Sequence, residues 1–75
     1  MERVRHLTHP LPRGVPLLLG RNGGDVVIVT PADAPPWQVS RALRLLRARG
    51  ALTAGEHRAA RRRLGLPEEE DGVPG

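Results

Sequence analysis

The chain has no cysteine, no phenylalanine and no tyrosine, and its aromatic inventory is a single residue, Trp37. Without cysteine, neither a disulfide nor a thiolate metal site can reinforce the fold. At 75 residues the chain lies in the size range where one hydrophobic core supplies only marginal stability. Core volume must come from Leu, Val, Ile and Ala, and a chain so placed commonly gains stability from self-association or from a partner. Lysine is absent too, so all 12 basic side chains are arginine. A GC-rich genome explains that most simply, and selection for planar, bidentate contacts to phosphate or carboxylate is the alternative. No apolar run approaches the ~18–20 residues needed to cross a bilayer. The opening MERVRHLTHP puts charges and histidines where a secretory signal would put its apolar segment, which predicts a cytoplasmic location.

What is present is unevenly distributed. Four of the 8 acidic residues stand together at Glu68, Glu69, Glu70 and Asp71. Residues 1–67 therefore hold 12 positive and 4 negative charges, a net of +8 with histidine neutral. A body that basic attracts polyanions, and the acidic tail can screen it in cis.

Residues 1–14 mix charge with His9-Pro10 and Leu11-Pro12, and Arg3–Thr8 can form a short strand. From Val15 to Thr30, two apolar runs flank Arg21-Asn22-Gly23-Gly24. Asn-Gly is a strong two-residue hairpin signal, so strands are expected near 15–20 and 25–30. Pro16 cannot donate to a ladder and belongs at a strand start or an edge. Neither run alternates: Leu17, Leu18 and Leu19 are all apolar, as are Val26, Val27, Ile28 and Val29. Successive strand side chains point to opposite faces, so both faces of this hairpin are apolar while a helical pair can cover only one. An uncovered Val/Leu face invites association.

After a 31–36 linker, with Asp33 or Thr30 as candidate cap and Pro35-Pro36 suited to a first turn, a helix is expected from about Pro36 to Arg49. Val39, Ala42, Leu43 and Leu46 make its apolar stripe, Arg41, Arg44 and Arg47 fall away from it, and Gly50 fits its stop. Thr53-Ala54-Gly55-Glu56 has the form of a capping box, opening a second helix over about Ala54–Leu64. There His57, Ala60, Arg61 and Leu64 share one face, with Arg58, Arg62 and Arg63 outside it. Gly65 and Pro67 end that helix, and residues 67–75 have the composition of a disordered acidic tail.

The pattern Leu43-x-x-Leu46-Arg47-x-x-Gly50-x-Leu52-Thr53-x-x-Glu56-His57, closing on Leu64, resembles the SHOCT family, the short C-terminal domain of many bacterial proteins. The likeness covers residues 37–66 and leaves the hairpin outside it. The family generally carries a large aromatic after the glutamate, where this chain has His57; its basic positions are matched by Arg61 and Arg63. Residues 43–64 by themselves read as a self-contained helical hairpin; the resemblance implies a role in oligomerisation or in attachment to partners, and it carries no catalytic residue across. It also implies that His57 fills the aromatic slot, half-buried, so that charging it would loosen the helical pair at acid pH.

Other chemistries find little support. Gly20-Arg21-Asn22-Gly23-Gly24 is followed by a Val/Ile run rather than the helix start that a phosphate loop requires. His6-x-x-His9 lies in an extended segment beside proline, where the two rings do not converge on a metal. Ser40 and the histidines sit in separate segments with no third partner for nucleophilic catalysis. These features predict a non-enzymatic α+β module without cofactor, metal or membrane span: a β-hairpin of two strands, or three with Arg3–Thr8, then a two-helix hairpin and an acidic tail. The expected activity is association with a second copy or with a larger protein, through Leu17, Leu18, Leu19, Val26, Val27, Ile28, Val29 and Trp37. Trp37 can also plug the core between helix and sheet. The second reading is nucleic-acid binding or transcription regulation through Arg41, Arg44, Arg47, Arg49, Arg58, Arg61, Arg62 and Arg63. Against sequence-specific readout there, the second helix is short and carries no Asn or Gln for base edges.

Overall fold

In the computed structural model, residues 3–67 are described. Three strands come first, β1 (Arg3–Thr8), β2 (Leu18–Asn22) and β3 (Asp25–Thr30), followed by helices α1 (Pro36–Ala48) and α2 (Ala54–Arg63). The fold is therefore α+β, with the three-stranded form of the sheet. Its order is β1-β3-β2, with β1 parallel to β3 and β2 antiparallel to it. The connection from β1 to β2 passes the C-terminal end of β3 and contains a turn closed by Val15 N–H donating to the Pro12 carbonyl at 3.1 Å. This topology explains the missing alternation in β3. A central strand is flanked on both edges, so Val27 and Val29 are half-buried even on the face turned away from the helices, and a run of β-branched residues suits it.

Four expectations need correction. The hairpin strand begins at Leu18, not at Val15, because Pro16 has no N–H for the ladder and Leu17 turns into the core. The turn is Gly23-Gly24, since Asn22 is paired with Asp25. Gly23 has φ +64° and Gly24 does not share the positive sign, the φ pattern of a type II′ turn with glycine first. Neither Asp33 nor Thr30 caps α1: its N-cap is Pro35, with no side-chain cap, and Pro36 presets the first turn. Finally, the helical pair is not self-contained. Val39, Leu43, Leu52 and Ala60 close one core together with Val4, Leu17, Val26 and Ile28. A ten-residue α2 with alanines on its inner side offers too little apolar surface to stand without the sheet.

Other local signals are realised as expected. Gly50, at φ +82°, ends α1: its N–H donates to the Arg47 carbonyl and that of Ala51 to the Leu46 carbonyl, the paired bonds of a Schellman stop. Thr53 and Glu56 form the reciprocal capping box of α2. Pro67, the first residue of the expected disordered tail, is held through its carbonyl by Arg61; residues 68–75 lie outside the described residues.

Candidate functional site

The strand register decides which apolar residues are available to a partner. On the helix-facing side, Val4, Val26 and Ile28 are buried and Leu19 packs against them. On the opposite side, Leu7 of β1 pairs with Val29 of β3, which pairs with Leu18 of β2. These three form an apolar row across the full width of the sheet, with Val27 next along the central strand. Leu7 is 55% exposed and Leu18 48%, and no described element covers this side. Beside Val27 stand Arg5 and Gly20, so the row is bounded by a charge on one edge and by bare backbone on the other.

The contact expected from the sequence thus separates into three groups. Leu17, Val26 and Ile28 are core residues and unavailable to a partner, with Leu19 half-buried against them. Leu18, Val27 and Val29 lie on the open sheet face. Trp37 belongs to neither: it is 62% exposed, so it does not plug the core. At 3.6 residues per turn it stands about 200° around α1 from Val39, on the side away from the core. Trp37, Arg41 and Leu45 follow one another there at four-residue steps, all exposed. Leu7 was missed from sequence because only pairing with β3 places it beside Val29.

The arginines also divide. Arg41, Arg44, Arg49, Arg58, Arg62 and Arg63 are exposed and Arg47 is partly so, but Arg61 is buried at 3% exposure. Its Nη1 donates to Ser40 Oγ at 2.7 Å and its Nε to the Pro67 carbonyl at 2.6 Å. Arg61 therefore ties α2 to α1 and to the exit segment and is not a phosphate ligand. Arg63 Nε donates to the Val4 carbonyl at 3.1 Å, joining α2 to β1.

Arg21 at the end of β2 forms the third tie. Its two terminal nitrogens donate to both Glu56 oxygens at 2.9 and 2.8 Å, and one also reaches the Ala51 carbonyl at 2.6 Å. Glu56 Oε1 in turn accepts from Thr53 N–H at 2.9 Å. The Arg21 hydrogen bonds, then the Thr53 backbone bond, hold the Glu56 carboxyl down to about 2 from an ordinary 4.5. The same contact raises the Arg21 guanidinium. The capping box was legible in sequence, whereas its clamp to the hairpin 35 residues away had no sequence signal.

The histidines are dispersed. His6 Nε2 bonds Thr30 Oγ1 at 2.7 Å, His9 Nδ1 lies 2.8 Å from the Pro10 carbonyl, and His57 is buried at 3% exposure rather than half-buried. Among the described residues no group of three or more His, Cys, Asp or Glu gathers in metal-binding geometry. No helix there is long and apolar enough to cross a membrane. Comparison with protein-family models, with curated proteins and with solved structures finds no match to this chain.

Proposed function

We propose that the protein is a small non-enzymatic association module, acting in the cytoplasm, whose open sheet face docks on an apolar surface, with a second copy of the same chain as the first partner. The observation that carries this reading is the Leu7–Val29–Leu18 row. A face that exposes two leucines beside half-buried valines leaves apolar area in water that association would remove. The resemblance of residues 37–66 to the SHOCT family, itself a proposal, points the same way.

The size of the face sets the strength of the contact. Three strands about 4.8 Å apart and about 20 Å long span roughly 300 Å². A standard interface takes about 800 Å² from each partner. The association is accordingly small and reversible, or else draws in neighbouring surface from the sheet edges.

Sedimentation across a dilution series from about 1 mM to about 1 μM brackets that range of affinity. The wild-type chain should pass from dimer to monomer. A Leu7→Glu/Leu18→Glu variant should stay monomeric and melt as the dilute, monomeric wild type does, because both side chains are about half exposed in the single chain. A wild-type chain that is monomeric throughout the series refutes self-association. A variant that still dimerises moves the contact off the sheet.

A further inference from the structure

An open cleft of about 860 Å³ runs along the outer edge of β1, lined by Arg3, Val4, Arg5, Asp25, Ala59, Arg62 and Arg63. Four arginines line it with one carboxylate, Asp25, which sits opposite Arg3 in the register. They come from two directions. Arg3 and Arg5 are alternate residues of an edge strand, on the side opposite Val4. Arg62 and Arg63 are adjacent residues in the last turn of α2, and Arg63 is anchored at the rim by its Nε–Val4 carbonyl bond. We propose that this cleft binds the phosphodiester backbone of a nucleic-acid duplex, with Arg3 and Arg5 taking phosphates from the strand side and Arg62 and Arg63 from the helix side.

Three features select that ligand. Alternate strand residues stand about 7 Å apart, a separation comparable with that of consecutive phosphates along a backbone. Guanidinium groups bind phosphate bidentately, so four of them can engage a short run of phosphates without base contacts. The cleft has no aromatic lining: the chain's one aromatic, Trp37, lies outside it. Splayed single-stranded bases would find nothing to stack on. The rival occupant is an acidic peptide added to β1 as a fourth strand. That mode needs the main-chain acceptors of the edge strand, and Arg63 already occupies one of them. The cleft adjoins the open face, because Arg5 stands beside Val27 there, but a salt slope reads the duplex contact separately from the sedimentation that reads association.

The test is fluorescence anisotropy with labelled random-sequence DNA and RNA duplexes of equal length, titrated at rising salt. With four phosphates neutralised, log K should fall with log salt at a slope of about −3.6, which is about 150-fold between 50 and 200 mM. An Arg3→Gln/Arg5→Gln variant should halve the slope, leaving about a 12-fold change over the same interval. An Arg41→Gln/Arg49→Gln variant removes the same charge from α1 and should keep the full slope. Circular dichroism melts establish that each variant is folded. The proposal is overturned if neither duplex shows salt-sensitive binding, or if both variants lose slope equally, which would mean diffuse attraction by net charge. It is also overturned if a poly-glutamate peptide binds more tightly than either duplex. Binding of DNA and RNA alike supports backbone recognition, and preference for one of them names the source of the phosphates.

Discussion

Replacing Glu56 with glutamine keeps the length of the side chain and removes the charge that Arg21 and the Thr53 amide share. The wild-type carboxylate uses both oxygens: Oε1 accepts from Thr53 N–H and Arg21, and Oε2 from Arg21. Glutamine has one oxygen and turns an NH₂ group toward a guanidinium donor. The drop from 4.5 to about 2, taken whole, corresponds to about 3 kcal/mol. Because the Arg21 side chain is 48% exposed, solvent screening reduces the realisable part to about 1 kcal/mol. In a domain of this size that is a fall of about 4–8 °C in melting temperature. The sign follows from linkage. The carboxyl titrates lower in the folded chain than in the unfolded one, so its stabilisation is complete above about pH 4.5 and fades as the pH falls toward 2. Melts of wild type and Glu56→Gln followed by circular dichroism should therefore differ at neutral pH and converge in strong acid. High salt should narrow the neutral-pH gap. A gap that is absent at neutral pH, or equally wide at both ends of the pH range, would refute the clamp.

Two further perturbations test the core and the helix stop. Ile28→Ala removes a side chain with no exposure at the centre of the sheet and should cost about 2–5 kcal/mol, read as loss of the cooperative urea transition, whereas Val29→Thr, half-buried on the open face, should cost less. Gly50→Ala forces a Cβ into the left-handed region at φ +82°; nothing packs within 4 Å of that Cβ, so the cost is backbone strain alone, roughly 1–2 kcal/mol, measured by the same unfolding curve.

Much of the local structure was written in short-range patterns. The apolar stripe of Val39, Leu43 and Leu46, the glycine at position 50 and the Thr53–Glu56 box define two helices and the joint between them, because helix ends are set by residues within one turn. The glycine pair after Asn22 produced a hairpin within one residue of its expected turn, and Pro16 correctly kept its own position out of the ladder. The candidate site was less legible. A run such as LLL or VVIV carries no parity signal, so nothing in it distinguishes the buried Leu17 from the exposed Leu18. Trp37 is large and apolar, but its place on α1 is set by its angle from Val39, not by its hydrophobicity.

By itself, the sequence determined the element types, their order, the turn and helix-end chemistry and the basic surplus, all of which depend on near neighbours. The tertiary structure alone decided that β1 enters the sheet parallel to β3. That pairing joins residues 22 positions apart, as in Arg3 with Asp25, and no local propensity encodes it. It makes β3 the central strand, aligns Leu7 with Val29 and Leu18, and brings Arg3 and Arg5 to the cleft beside α2. Burial on one sheet face and exposure on the other follow from that single long-range pairing, because strand side chains alternate and the two helices cover only one side.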